Sequence, residues 1–338
     1  MRTRPVEFPR DELKHDNVIE WWYFNGVLKD SRGRKYAYMD CFFKADVSKV
    51  KIPLLKSLFG KIVYFSHSLV SDIKSKKFYS AVDHVSLVSK DSFTKPLLFV
   101  EYATPKDYVE VIEEPKKFDY HLKTENLDLV LSSVKKPLLE EGKGYVHLKS
   151  TGSYYYSLTN LETKGVIKIK GKEIKVKGKS WMDHQWANTV FNPKIKWTWF
   201  SIQLDNKVEV VCFEFDDGKN KTYLATISYA DNKQKSVRDV ELIPLKSSWT
   251  SPVTKTKYQL GWQIKIPSLK LDVKVEPLLK KQEMIFGKIN YWEGGLKVKG
   301  TLKGRKVSGQ GFLELMGYPK GVSDLKMYKR WFLNRFKK

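Results

Sequence analysis

The heptad Ser180-Trp-Met-Asp-His-Gln-Trp186 sets a carboxylate, an imidazole and an amide between two indoles. Acid, base and aromatic faces in that mixture suit proton transfer to or from an apolar molecule. Period-two alternation decides which of them face together in a strand. If residues 174–186 run extended, Ile174, Val176, Met182, His184 and Trp186 share one face. Lys175, Lys177, Lys179, Trp181, Asp183 and Gln185 share the other. Simple parity sends His184 and Trp186 inward, whereas a bulge at Gly178 would send Asp183 inward instead. The sequence leaves both readings open.

A second cluster runs from His15 to Gly26, HDNVIEWWYFNG. Glu20 shares strand parity with Trp22 and Phe24, at the end of an aromatic face. Desolvation beside indoles raises a carboxyl pKa, so Glu20 is expected to hold and donate a proton. Trp292 and Glu293 stand next to the pair Gly294–Gly295, which allows close backbone approach. Glu314 alternates with Phe312 and Met316, and His67 shares parity with Phe65. The six histidines are dispersed, with no HExxH and no Cys/His cluster, so no metal site is expected. There is no GxSxG elbow, P-loop or GxGxxG. What remains suits a large lipophilic ligand, held by aromatic faces that also steady a developing cation, with no cofactor.

Strands must position these groups. Aromatic residues make up 14% of the 338, and runs such as Val208–Phe215 alternate with turn signals at 30–33, 205–206, 216–218, 294–295 and 303–304. That spacing predicts an all-β chain of antiparallel sandwiches or barrels. An internal echo sharpens it: WWYFNGVLK (Trp21–Lys29) and WTWFSIQLD (Trp197–Asp205) share W-x-[YW]-F-x-x-x-L. Two β modules of ordinary domain size are therefore expected, with a boundary near Thr159. A short helix or a loop between strands is expected around residues 51–59, and a terminal helix in the basic aromatic end, 325–336.

The formal charge of +24 invites a nucleic-acid reading, but Arg supplies nine cations against 53 Lys, scattered without a binding motif. No nucleic acid is expected; peripheral contact of the basic tail with anionic membrane is. No run approaches the roughly 18–20 apolar residues that cross a bilayer, and the N-terminus has no apolar signal core. Two distant cysteines, Cys41 and Cys212, fit a reducing cytoplasm.

In order along the chain, EWWYFNG (20–26), YAYMDCFFK (36–44), FSHSLVSD (65–72), SYYYSLTNLETKG (153–165), VKGKSWMDHQW (176–186), WTWFSIQLDN (197–206), YWEGG (291–295) and GFLELMGY (311–318) resemble the AttH-like/carotenoid 1,2-hydratase family, which includes hydroxyneurosporene synthase. The resemblance implies two lipocalin-like antiparallel β-barrel domains in tandem, here 1–159 and 160–320, followed by a tail, 321–338. It also implies acid catalysis without a cofactor, in which a carboxyl protonates an alkene and water captures the cation. His184 and Trp186 match the family's His-x-Trp motif. The acid that the family carries further on falls near Asp205, Glu214 and Asp216, and Asp40 stands where relatives carry an apolar residue.

The leading expectation is a hydratase acting on an isoprenoid or other lipophilic alkene. Asp183 or Glu214 would donate the proton and His184 would orient water or relay a proton. Glu20, Trp22, Tyr23, His67, Trp186, Trp199 and Trp292 would surround the substrate. A lipocalin-like cyclase or pericyclase of a polyene, and a non-catalytic lipid-binding or membrane-delivery protein, are the alternatives.

Overall fold

The computed structural model describes residues 3–46, 48, 62–82, 88–91, 99–102, 108–111, 118–149, 151–188, 195–286 and 289–323. The helix or loop expected at 51–59 and the helix expected at 325–336 lie outside these residues.

Two large antiparallel sheets carry the chain, as the aromatic, turn-punctuated sequence leads one to expect. The first runs in the order Lys77–Val82, Ile62–Asp72, Lys35–Asp46, Ile19–Lys29, Lys172–Ala187, Gly152–Ile169, Leu127–Ser133, Asp119–Lys123, and on through three four-residue strands. The second runs Gln234–Val237, Lys221–Ser228, Glu209–Asp216, Lys196–Leu204, Arg305–Met316, Ile289–Leu302, Leu271–Pro277, Trp262–Ile266, Glu241–Pro244. Among the described residues no helix is long and apolar enough to cross a membrane.

Both sheets are rolled. Phe24 and Tyr120 lie four strand positions apart, about 19 Å in a flat sheet, yet their ring centroids are 5.6 Å apart. Phe200 and Trp262, also four positions apart in the second sheet, come to 6.3 Å. Each rolled sheet thereby buries its own apolar face, and in the first that face holds Trp22, Phe24, Tyr38, Phe42, Tyr120, Leu129, Tyr156 and Trp186.

The echo has a topological meaning. Its first copy, Ile19–Lys29, sits between the strand that follows it and the last long strand of its sheet, Lys172–Ala187. The second copy, Lys196–Leu204, sits in the same way between Glu209–Asp216 and Arg305–Met316. In each sheet the longest hairpin turns on a Lys-Gly pair, Lys170–Gly171 and Lys303–Gly304, all four residues at positive φ. That is the turn whose twist matches the flanking strands.

The boundary expected near Thr159 is corrected. Thr159 lies inside Gly152–Ile169, which with Lys172–Ala187 belongs to the first sheet. The first compact unit is Met1–Phe191 with Asn206–Val210 and Thr226–Ser236; the second is Asn192–Asp205, Val211–Ala225 and Val237–Lys338. The tyrosine cluster at 154–156 marks the middle of a strand, not the end of a module.

Candidate active site

Strand register decides which side chains meet. Lys172–Ala187 pairs with Ile19–Lys29 without interruption, so no bulge forms at Gly178. The irregularity falls instead in Gly152–Ile169, between Leu158 and Leu161. Simple parity therefore holds through the heptad, and His184 and Trp186 face the rolled core. Asp183 faces the other way, yet it is buried too. The two residues expected to cooperate lie on opposite faces of one sheet, which removes His184 from the role of orienting water for Asp183.

On the core face, Trp22 lies opposite His184, and Tyr156 flanks His184 on its other side. Glu20 is fully buried, and its Oε1 accepts from His184 Nε2 and His15 Nδ1, both at 2.8 Å. Its Oε2 accepts from the His15 backbone N–H at 2.9 Å and from Lys44 Nζ at 3.3 Å. Burial pushes the Glu20 pKa up, but the two imidazoles outweigh it and bring the carboxyl down to about 2. The expectation of a raised pKa is thus overturned: Glu20 is held ionised and is no proton donor. Burial lowers His184 to about 4 despite Glu20. A neutral imidazole results, with Nε2–H donating to Glu20 and Nδ1 3.3 Å from the Tyr156 hydroxyl.

The N-terminal segment closes this network. His15 stacks on Trp186 at 3.8 Å and 4°. Asp11 accepts from Arg4 at 2.5 and 2.6 Å and lies 3.3 Å from His15 Nε2. Glu12 Oε1 accepts from the Tyr120 hydroxyl, and the Glu12 backbone carbonyl accepts from Trp22 Nε1 at 3.3 Å. Burial raises Glu12 to about 7 against that phenol bond. One atom each of His15, Glu20 and His184 lies within 4.8 Å of the other two, a spacing that permits a shared metal ion and that the distance of His184 along the sequence concealed. Lys44, almost fully buried on the same carboxylate, already supplies the compensating cation, so we read the cluster as a hydrogen-bonded network.

The opposite face is built around Asp183. Its Oδ1 accepts from Ser157 Oγ and Trp181 Nε1, both at 2.6 Å, and its Oδ2 lies 2.8 Å from the Tyr155 hydroxyl. All four residues are buried. Burial raises Asp183 to about 7, although the three donors pull the other way. Indole N–H can only donate, whereas a phenol can accept; the proton therefore belongs on Oδ2, facing Tyr155. Across the sheet Asp183 lies level with Tyr23, then Cys41, then His67, a row of three strand spacings or about 14 Å. The adjoining row, Gln185, Trp21, Phe43 and Phe65, is half-buried. Phe43 and Phe65 stack at 4.6 Å, with His67 4.9 Å from Phe43.

The residues expected to form one site are thus divided. Glu20, Trp22, His184 and Trp186 share the core face of the first unit, and Tyr23, His67 and Asp183 its reverse. Glu214, Trp199 and Trp292 belong to the second unit. There Glu214 accepts from Tyr223 at 2.5 Å and Lys221 at 3.1 Å, and Trp292 Nε1 donates to the Lys280 carbonyl at 2.7 Å. Trp199 is buried opposite Glu314. Sequence reasoning missed Tyr155, Ser157 and Trp181 as partners of Asp183. Register supplies them, since Ser157 lies directly opposite Asp183.

A sequence model of the AttH-like family matches residues 1–318. Kievitone hydratase of Fusarium solani subsp. phaseoli is 25% identical over 199 residues, 56% of each chain. Dehydratase asqC of Emericella nidulans is 25% identical over 203 residues, 56% of this chain and 57% of that one. The chain thus spans little more than half the length of these curated relatives. Two crystal structures share the fold over 94% of the chain: an AttH from Nitrosomonas europaea, 98% covered, with TM-score 0.74 and 23% identity, and kievitone hydratase from Nectria haematococca, 94% covered, with TM-score 0.75 and 17% identity. The chain belongs to the AttH-like family.

Proposed function

We propose that the protein is a hydro-lyase-like enzyme that adds water to, or removes it across, a C=C bond of a lipophilic substrate, with Asp183 as the proton donor. One observation carries the reading: a wholly buried carboxyl, braced by Ser157, Trp181 and Tyr155, that keeps its proton to about pH 7. An acid poised near the working pH is what protonation of carbon needs. The names of two relatives, a hydratase and a dehydratase, support the reaction class.

In the hydration direction the Asp183 Oδ2 proton passes to one alkene carbon and leaves a carboxylate beside the cation. The Tyr23 ring and the Trp21–Phe43–Phe65 row disperse the charge. Water bonds to the cationic carbon, and its surplus proton goes back to the carboxylate side of the site. The half-buried aromatic row favours an extended apolar substrate, and an isoprenoid alkene is the class we favour. No redox step enters.

Incubation with a panel of isoprenoid alkenes in deuterium oxide tests this. Product carrying one carbon-bound deuterium, lost by a factor of roughly 100 or more in Asp183→Asn, is expected. Ring closure without deuterium would establish the cyclase reading instead. A bound lipid recovered unchanged would establish the binding-protein reading.

A further inference from the structure

His184 faces the core, so the addition of water still needs a group on the Asp183 face that holds the attacking molecule. Gln185 shares that face with Asp183, one side-chain position along the strand, a rise of about 7 Å. That distance leaves room for a double bond with an acid at one end and a water at the other. Asp183 is wholly buried, whereas Gln185 is half-buried, in the aromatic row with Trp21 directly opposite it. Water therefore reaches the amide more readily than the acid.

The amide is held in one orientation. Its Nε2 donates to Ser153 Oγ at 2.6 Å, and Ser153 is itself buried. The Ser153 hydroxyl gives its one proton to the Tyr154 carbonyl at 3.3 Å, so toward Gln185 it can only accept. Hydrogen bonding thus decides which end of the amide is nitrogen. Ser157 lies opposite Asp183 and Tyr155 opposite Gln185, so Ser153 stands on the far side of Gln185 from the acid. The amide nitrogen is drawn away from Asp183. Oε1, at the diverging end, is turned from Ser153 and has no hydrogen-bond partner among the described residues. Tyr155, opposite Gln185, lies with its hydroxyl 2.8 Å from Asp183 Oδ2, so one phenol spans the two positions.

We propose that Gln185 orients the attacking water, its Oε1 accepting a hydrogen bond from it, and that Ser153 is the positioning residue that fixes the amide. The role rests on Asp183 being the donor. Asp183 gives its proton to one carbon of the double bond, the π pair forms that C–H bond, and the other carbon becomes cationic. The water donates one O–H to Gln185 and aims a lone pair at the cation, and the C–O bond forms. An amide oxygen is too weak a base to keep the surplus proton, which passes to the Asp183 carboxylate and restores the acid. Without an oriented water the cation has a second exit: the carboxylate takes a proton from a neighbouring carbon, and an alkene returns.

Deuterium oxide reads the two exits apart, with an isoprenoid alkene as probe. The wild type should yield mainly alcohol carrying one carbon-bound deuterium. Gln185→Leu should still place deuterium on carbon but leave it in recovered alkene, so that the ratio of alcohol to deuterated alkene falls roughly tenfold or more. An unchanged ratio overturns the role of Gln185, and so does an equal loss of both products, which marks a merely structural residue. Ser153→Ala frees the amide and should move the ratio the same way by a smaller factor. An unchanged ratio there overturns its positioning role and, should Gln185→Leu fail to fold, that of Gln185 with it. A wild type that places no deuterium on carbon, in alcohol or in alkene, overturns instead the donor assignment beneath.

Discussion

Two carboxylates in the first unit, both fully buried, respond to burial in opposite directions because their neighbours differ in charge. Asp183 meets neutral donors and keeps its proton to about pH 7; Glu20 meets two imidazoles and loses its own at about pH 2. Asp183 has a raised folded pKa, so its contribution to stability is full below the unfolded value near 4 and fades as pH rises through about 7. Asp183→Asn is therefore expected to gain on the wild type as pH rises from about 4 to about 7 and to hold that gain above it, read as urea midpoints. Glu20 runs the other way. Its contribution is full above the unfolded value of 4.5 and is lost as pH falls through about 2. Glu20→Gln should cost about 3–5 kcal/mol near pH 7, because it leaves the buried Lys44 ammonium without its carboxylate. That deficit should shrink below about pH 3, and an unchanged gap there would remove Glu20 as the source. Sequence reasoning foresaw the aromatic surroundings of Glu20 but not its charge state. The imidazole that lowers it most, His15, lies five residues before it, outside any strand whose parity could be read, and the other, His184, lies 164 residues away.

At the scale of the strand, parity was legible and the bulge was not. The heptad alternates as a plain strand should, and that alone sends His184 to the core. Gly178 reads as a bulge signal in sequence, but its reason is close approach: a Cβ there would stand 2.6 Å from the Val27 carbonyl oxygen and 3.0 Å from Leu28 Cα. Gly178→Ala is expected to prise Ile19–Lys29 from Lys172–Ala187 and cost roughly 2 kcal/mol or more. Hydrogen exchange along both strands, accelerated in the variant, would show it; ordinary protection would refute the close-approach account. The bulge that does form, at Thr159–Asn160 opposite Trp181, has no glycine to announce it. Asn160 instead donates to Glu209 Oε1 at 2.8 Å, a partner that no local pattern reveals. The Trp-rich echo was legible for a different reason, since both copies occupy the same place in their sheets.

For the whole molecule, the +24 formal charge opposes compaction by self-repulsion. The melting temperature should climb as salt is raised from about 0.02 to 0.3 M, since screening weakens that repulsion. A fall would mean that paired charges dominate instead. The charge pattern could not locate the modules. Their division depends on which strands pair, and the hairpin at 152–187 turns back to the very first strand. That closure has a consequence during synthesis. The edge of Ile19–Lys29 that will meet Lys172–Ala187 leaves the ribosome roughly 150 residues ahead of its partner. The nascent chain must therefore carry an open strand edge for most of the time the first half is being made. Guarding that edge falls to a chaperone or to slow, transient pairings of the chain with itself.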